Sequence, residues 1–267
     1  MQPPEIHSAL RDARIAARYQ PIVRLADRAA VAVEALARLW HPVHGLVGAD
    51  RFVPQIELAG LSRVLTDLVA ASIFADLAEA DPAILDLTVG INIPLDLLLL
   101  PGTLDRLDAG RDAAGLAASR LAIELTESQP VENPARLGRT LERVRAAGYG
   151  VLIDDAGPAM TYVMSLLDLP FTGLKLDAGL VHASARDAEA RRFADHVVAG
   201  AKRHGLAVTA EGVEDQAGWD HAVALGADQA QGYLSGSAMP AAALPGWRAV
   251  WDAGAAVRPA RCAGHDR

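Results

Sequence analysis

Short apolar runs alternate along the chain with longer segments in which apolar residues recur every three or four positions. In residues 62–79, for example, Leu65, Val69 and Ile73 follow the spacing of one helix face. This alternation is typical of repeated β-α units, in which each strand is followed by a helix that packs against the sheet. The pattern therefore predicts an α/β protein.

The apolar runs are of strand length, and the periodic segments between them are of helix length. The predicted strands are 17–25, 30–39, 87–93, 121–125, 150–154, 173–176, 207–210 and 229–233. The predicted helices include 62–79, 133–147, 161–168, 188–204, 216–225 and 241–252. Strands and helices in this number and order indicate a TIM-like (β/α)8 barrel.

The first two predicted strands are separated only by residues 26–29. Because a helical crossover needs about a dozen residues, these strands should be antiparallel. We therefore expect a modified TIM barrel whose first strand runs antiparallel to the rest. We expect an N-terminal leader at 1–15, the barrel domain at 16–252 and a polar C-terminal tail at 253–267.

One predicted strand, VLIDD at 151–155, ends in two adjacent carboxylates. Successive side chains of a strand point to opposite faces, so Asp154 and Asp155 can meet at one ligand only where the strand turns into a loop. A divalent cation between them would remove their repulsion. The alternative is an exposed turn with two solvated acids.

Acids and amides recur near the C-terminal ends of nearly all the predicted strands, which in a barrel meet at one rim. They are Glu34, Asn92, Glu124, Asp154, Asp155, Asp177, Glu211 and Gln231. Capping of the next helix could explain Asp177 or Glu127. It does not explain Glu34 and Asn92, which interrupt apolar runs where an unpaired polar group is costly. We favour a metal site with oxygen ligands, which suits Mg²⁺ or Mn²⁺, with Ca²⁺ as an inhibitory substitute.

Lys175 is the one cation among these acids. It could orient an attacking water or neutralise charge on a phosphate. It could equally form a structural ion pair with a carboxylate of the rim. The residues alone leave both roles open.

Composition narrows the choice of ligand and compartment. A net charge of −8 argues against a nucleic acid duplex as partner but permits a small anionic ligand held through metals. The single cysteine, Cys262, excludes an intrachain disulfide and fits a reducing cytoplasm. The N-terminus has no signal-peptide core, and the most apolar window, 83–100, is interrupted by polar residues, so we expect no membrane insertion.

Ten ordered motifs between residues 19 and 245 resemble the EAL domain family, the bacterial module that hydrolyses the second messenger cyclic di-GMP. They are YQPI at 19–22, EAL at 34–36 with Arg38 after it, HP at 41–42, FVPQIELAG at 52–60, GIN at 90–92, ELTES at 124–128, DD at 154–155, LKLD at 174–177, AEGVE at 210–214 and QGYL at 231–234.

The resemblance implies a metal-dependent phosphodiesterase that converts cyclic di-GMP to linear pGpG with two divalent cations, Mg²⁺ or Mn²⁺. The residues implied to hold the first ion are Glu34, Asn92, Glu124 and Asp154. Those implied to hold the second are Asp154, Asp155 and Glu211. Asp154 would bridge the two ions.

The resemblance also implies roles around the metals. Lys175 would position or help deprotonate the attacking water, Glu211 is an alternative base, and Glu127 would brace the loop after Asp155. The residues implied to contact or support the substrate are Gln20, Leu36, Arg38, Asp177, Glu214 and Gln231. A homodimer is expected, with regulation through oligomerisation, a separate regulatory protein or expression level.

The chain departs from the family pattern directly after the acid pair. The family reads close to DDFGTGYSSL, whereas this chain reads DDAGPAMTYV from Asp154 to Val163. Pro158 would restrict a segment that is mobile in the family. We therefore expect reduced activity or altered dimer coupling. A second departure, SGSAMP at 235–240, is expected to tune ligand affinity.

Three functions follow from these observations. The first is an active cyclic di-GMP phosphodiesterase. The second is a catalytically weak or silent EAL domain that acts as a cyclic di-GMP receptor or a protein-interaction module. The third is another metal-dependent barrel enzyme, such as an enolising lyase, which also gathers acids at the rim.

Overall fold

The computed structural model describes residues 3–81, 84, 86–126, 131, 133–160 and 162–257. Its strands are β1 (Ile15–Arg24), β2 (Ala30–His41), β3 (Gly45–Gly48), β4 (Thr88–Pro94), β5 (Leu121–Thr126), β6 (Gly150–Ala156), β7 (Gly173–Leu176), β8 (Ala207–Ala210) and β9 (Gln229–Gln231). The sheet order is β1-β9-β8-β7-β6-β5-β4-β2-β3, and β1 also pairs with β2. This last pairing closes eight strands into a barrel and leaves β3 as a hairpin partner of β2.

The direction of β1 distinguishes this barrel from a regular one. It pairs antiparallel with both β2 and β9. The other pairs of the barrel, β2–β4, β4–β5, β5–β6, β6–β7, β7–β8 and β8–β9, are parallel. The turn between β1 and β2 is tight, with Arg28 at φ 62° and the Asp27 side chain accepting from Ala29 N at 3.1 Å. The predicted modified TIM barrel is confirmed.

Helices surround the barrel and connect its parallel strands. They are α1 (Pro3–Arg11), α2 (Val53–Leu58), α3 (Ser62–Ala78), α4 (Leu95–Leu98), α5 (Thr103–Ala113), α6 (Pro134–Ala146), α7 (Val163–Leu166), α8 (Ala178–Ser184), α9 (Ala188–Arg203), α10 (Gln216–Leu225) and α11 (Leu244–Val257). The sequence pattern missed β3, α2, α4, α5 and α8. Most of these are a turn or two long, and α5 has a mostly polar sequence, so the apolar period is weak.

The hydrophobic core lies mainly between the barrel and the helices. Outward-facing strand residues such as Ile91, Ile123, Val151 and Val208 are almost fully buried there. Because strand side chains alternate in direction, the intervening residues face the barrel axis. These inward positions include acids near the C-terminal ends of the predicted strands, such as Glu34 and Glu124.

The ends of the chain also pack on the barrel. Helix α1 buries Ile6 and Leu10 and contacts β2, α2 and α3. Helix α11 ends at Val257, inside the region predicted as a tail. The predicted domain boundaries remain a prediction. Within the described residues, no helix is both long and apolar enough to span a bilayer.

Candidate active site

A cavity of about 1340 Å³ opens at the rim where the parallel strands end. Its floor is formed by polar side chains from β2, β4, β6, β7, β9 and the end of β8. Among the residues that line it are Glu34, Asn92, Asp154, Asp155, Lys175, Glu211 and Gln231. Separate strands thus bring these polar side chains to one rim, and their role as metal ligands stays a prediction.

Lys175 lies at the centre of the acids, and its side chain is only 2% exposed. Its Nζ is 3.0 Å from Glu34 Oε2, 2.9 Å from Glu124 Oε2, 3.0 Å from Asp154 Oδ1 and 2.7 Å from Glu211 Oε1. An ammonium group has three N–H donors, so it cannot serve four carboxylates equally. Burial alone would lower the pKa of Lys175, but these carboxylates raise it well above its usual value.

Glu34 is the most fully hydrogen-bonded of the acids. Besides Lys175, it accepts from Asn92 Nδ2 on Oε1 and from Gln231 Nε2 on Oε2, each at 2.7 Å. Burial would raise its pKa, but the charge of Lys175 and these hydrogen bonds hold the pKa below its usual value. Gln231 Nε2 also lies 3.3 Å from Gln20 Oε1, which links β9, β1 and β2 at the site.

The negative charges of the other acids are less well balanced by cations and hydrogen bonds than that of Glu34. Burial and the charges of Glu34 and Asp154 raise the pKa of Glu124 well above its usual value, although the charge of Lys175 and its hydrogen bond act to lower it. Burial and the neighbouring carboxylates raise the pKa of Asp155 to about 6 and that of Glu211 to about 8. The site therefore carries more carboxylates than its one buried cation neutralises.

Asp154 and Asp155 meet at the cavity because β6 contains a bulge. The pairing with β7 shifts register between Ile153 and Ala156, and Asp155 adopts φ +52°. The predicted turn of the strand into a loop at the acid pair is wrong in detail, because β6 continues to Ala156. A bulge adds one residue to the strand, so two consecutive side chains can reach the same side.

Gly90 makes room for Glu124. A Cβ at position 90 would lie 1.8 Å from Glu124 Oε1 and 2.7 Å from its Cδ. Gly90 pairs with Glu34 on β2 and with Ala122 on β5. A side chain at position 90 would displace the Glu124 carboxylate from its place beside Lys175.

Two groups of carboxylates have the proximity that a metal ion needs. Glu34, Glu124 and Asp154 form one group and Asp154, Asp155 and Glu211 the other, with ligand atoms within 4.8 Å of one another in each. Glu124 Oε1 is a buried oxygen without a hydrogen-bond partner in the described structure. An all-oxygen donor set with surplus negative charge and a partnerless buried acceptor fits divalent cations.

The remaining predicted site residues fall into three groups. Gln20, Leu36, Arg38 and Glu214 line the cavity. Asp177 instead caps α8, accepting from Leu180 N at 2.9 Å, as the capping alternative anticipated. Glu127 lies outside the described residues. The ion-pair alternative for Lys175 is present in the structure, and its catalytic role stays a prediction.

Arg136 on α6 and Tyr233 after β9 also line the cavity and were not among the predicted site residues. Arg136 Nη2 donates to Leu99 O at 2.8 Å, and the Tyr233 side chain is largely exposed. The strand-end pattern was one of acids and amides, so it contained no signal for an arginine on a helix or for a tyrosine. Tyr233 lies within the QGYL motif, which was the one clue available.

The EAL domain family model matches residues 5–238. This chain belongs to the EAL domain family. The cyclic di-GMP phosphodiesterase NbdA of Pseudomonas aeruginosa is 35% identical over 244 residues, which cover 90% of this chain and 31% of the relative. This EAL chain spans about a third of the length of the curated relatives it matches.

Solved EAL structures have the same fold. The PaMucR phosphodiesterase in complex with c-di-GMP superposes with a TM-score of 0.83 at 29% identity, covering 90% of this chain and 98% of that chain. The Bacillus subtilis YkuI protein, in complex with c-di-GMP and calcium, gives a TM-score of 0.74 at 19% identity, covering 96% and 63%. The second likeness shows the fold alone.

The segment that departs from the family pattern packs into this EAL domain. Ala156 and Met160 are buried, and Met160 N donates to Gly157 O at 3.0 Å. Met160 shares a small apolar pocket with Leu125 and Ile153 on the outer side of the barrel. Met160 thus packs beside Ile153 on the strand that carries Asp154.

Proposed function

We propose that this EAL domain hydrolyses one phosphodiester bond of cyclic di-GMP to give linear pGpG, using two divalent cations, Mg²⁺ or Mn²⁺. The observation that carries the proposal is the pair of carboxylate groups that share Asp154 on the floor of a large cavity. When bound, such ions stabilise charge on the scissile phosphate and lower the pKa of a water.

The residues proposed to hold the ions follow from the two groups. Glu34, Asn92, Glu124 and Asp154 would hold the first ion, and Asp154, Asp155 and Glu211 the second. Asn92 already uses its amide nitrogen on Glu34, so its carbonyl oxygen is the donor left for a cation. Glu124 offers the partnerless Oε1.

Lys175 and Glu211 are the residues proposed to handle the attacking water. Glu211 has a pKa raised to about 8 by burial and nearby carboxylates, so once it is deprotonated it is basic enough to accept a proton from water on a carboxylate oxygen. Lys175 Nζ, 2.7 Å from Glu211 Oε1, orients that carboxylate and can donate to the water. Glu127 is proposed to brace the loop that follows the acid pair.

The cavity wall supplies the proposed substrate contacts. Gln20, Leu36, Arg38 and Gln231 line it and would contact phosphate or guanine. Glu214 lines it as well. Asp177 would support the substrate contacts indirectly, by capping the start of α8. Relatives named as cyclic di-GMP phosphodiesterases, and a relative solved with c-di-GMP, support this substrate.

The test is an assay of pGpG formation from cyclic di-GMP with Mg²⁺ or Mn²⁺, with the product identified by mass spectrometry. Wild type should form pGpG, while a chelator and Glu34→Ala should each abolish its formation. If wild type forms none, or if Glu34→Ala forms as much as wild type, the proposed activity is wrong.

A receptor function is the second candidate, because Pro158 and Met160 replace the family residues beside the acid pair. We propose that this altered segment tempers turnover. Calorimetry separates the two functions, since a receptor binds cyclic di-GMP in the presence of Mg²⁺ without converting it. Rapid conversion under those conditions would exclude a pure receptor.

Three further expectations stay proposals. A homodimer and a separate regulatory protein would provide control, and light scattering tests the first. The single cysteine is compatible with a cytoplasmic location, which cell fractionation would check.

A further inference from the structure

Residues 232–238 form a loop that interrupts the pairing of the chain with β1. Before the loop, Gln231 pairs with Ile22. After it, Met239 pairs with Tyr19 through two backbone hydrogen bonds of 2.7 and 3.0 Å. Two residues of β1 lie between these pairs, whereas the returning chain has seven, so the seven bulge out of the sheet. The loop residues that line the cavity are Gly232, Tyr233, Ser237 and Ala238.

Strand β1 holds the middle of this loop by side-chain hydrogen bonds. Ser235 is buried, and its Oγ lies 3.2 Å from Pro21 O and 3.0 Å from Gly232 O. A hydroxyl has one proton, so Ser235 donates to only one of these carbonyls at a time. Gln20 Nε2 donates to Gly236 O at 3.3 Å, which is long for a hydrogen bond. The bonds from β1 are therefore a weak hold on this part of the cavity wall.

Helix α11 supplies a stronger contact to the same part of the loop. Trp247 Nε1 donates to Ser235 O at 2.7 Å. A Cβ at Gly236 would lie 3.2 Å from Trp247 Nε1, so the absence of a side chain there lets the indole approach the loop backbone. Helix α11 lies beyond residues 5–238, which the family model matches. This contact therefore comes from outside the matched part of the chain.

A second tryptophan on α11 binds a different part of the barrel. Trp251 stacks on Trp247, with ring centroids 6.2 Å apart, and its Nε1 donates to Arg28 O at 2.6 Å. Arg28 lies in the turn before β2, at the end of the barrel opposite the rim where the cavity opens. The two indoles thus make the same kind of bond from one helix, and only that of Trp247 reaches a loop that lines the cavity.

We propose that Trp247 positions the 232–238 loop as a preformed wall for the substrate. This inference rests on the proposed function and deepens it by adding a positioning residue for the dinucleotide. A wall that is ordered before binding saves the conformational entropy that a mobile loop would lose when the substrate binds. The loop includes the start of SGSAMP, the second segment that departs from the family pattern. Trp247 thus acts on substrate affinity through the loop, without touching the reacting groups.

The order of the loop can be measured without substrate, by hydrogen exchange of the amides in residues 232–239. Trp247→Phe keeps the stacked ring but removes the N–H, and exchange there should become about fivefold faster, as expected for the loss of one hydrogen bond. Trp251→Phe is the matched control, because it removes the same group from the same helix. It should leave exchange in the loop unchanged. Unchanged exchange in Trp247→Phe would overturn the proposal.

Kinetics then test whether the loop matters for the substrate. Trp247→Phe should raise KM for cyclic di-GMP about fivefold and change kcat by less than about twofold, because the loss is in binding. Trp251→Phe should keep the wild-type KM, although urea denaturation should show a similar loss of stability in both variants. Faster loop exchange with an unchanged KM, or an equal rise of KM in both variants, would reduce Trp247 to a structural role and overturn the proposal.

Failure of the proposed activity gives a different result. If wild type binds cyclic di-GMP without turnover, calorimetry with Mg²⁺ decides. A Kd about fivefold weaker in Trp247→Phe, but not in Trp251→Phe, then supports the preformed wall, and an equal Kd overturns it. If wild type does not bind cyclic di-GMP at all, both proposals are wrong.

Discussion

Lys175 Nζ lies 2.7 Å from Glu211 Oε1, the shortest of its four contacts with carboxylates inside the barrel. Without this ammonium group, the substrate-free site would hold several buried negative charges close together with no cation between them. Its position explains how one lysine can stabilise the fold and also stand beside the proposed reacting groups.

Lys175→Met should destabilise the metal-free protein strongly, because it leaves buried carboxylates without a cation. The expected loss in unfolding free energy is about 3–5 kcal/mol, measured by urea denaturation with a chelator present. Added Mg²⁺ should restore part of the loss. Lys202→Met is the control: Lys202 is partly exposed and pairs with Asp228, so its loss should cost at most about 1 kcal/mol. Equal losses for the two variants would contradict the prediction.

Gly90→Ala should remove metal binding while the barrel still folds. The new Cβ would occupy the space of Glu124 Oε1, so this carboxylate must leave the site. We expect the increase in melting temperature on adding Mg²⁺ to disappear and pGpG formation to fall on the order of 100-fold. Gly246→Ala is the control, because Gly246 on α11 has open space around its Cβ position. A Gly90→Ala protein with wild-type metal response would refute the packing argument.

Metal binding should strengthen as pH rises from 6 to 8.5. The raised pKa values of Asp155, about 6, and Glu211, about 8, mean that protons compete with cations for these oxygens. Raised carboxyl pKa values also stabilise the metal-free fold at low pH, a contribution that is lost as pH rises through 6 and 8. The increase in melting temperature caused by Mg²⁺ should therefore be larger at pH 8.5 than at pH 6. A pH-independent increase would show that these two groups are already ionised in the metal-free protein.

Restoring the family pattern after the acid pair should raise turnover. We expect a variant that reads DDFGTGYSSL from position 154 to have several-fold higher kcat, because a segment without Pro158 can move with the acid pair. Affinity for cyclic di-GMP, measured with Ca²⁺ in place of Mg²⁺, should change little. Since Ala156 is fully buried, a second variant, Pro158→Thr alone, avoids inserting a large side chain. No gain in kcat for either variant would indicate that this segment does not limit activity.

The sequence by itself determined the barrel, the antiparallel first strand and the strand ends that carry the acids. The apolar period separates strands from helices, and residues 26–29 are too few to cross over, so local chemistry is sufficient there. Parallel barrel strands end at one rim, which is why Glu34, Glu124 and Glu211 could be grouped without coordinates.

Only the tertiary structure decided which of these groups contact one another. The bulge that turns Asp155 toward the cavity depends on pairing between β6 and β7, and the four contacts of Lys175 join residues far apart in sequence. These partners are chosen by strand register and packing, which a one-dimensional pattern does not contain.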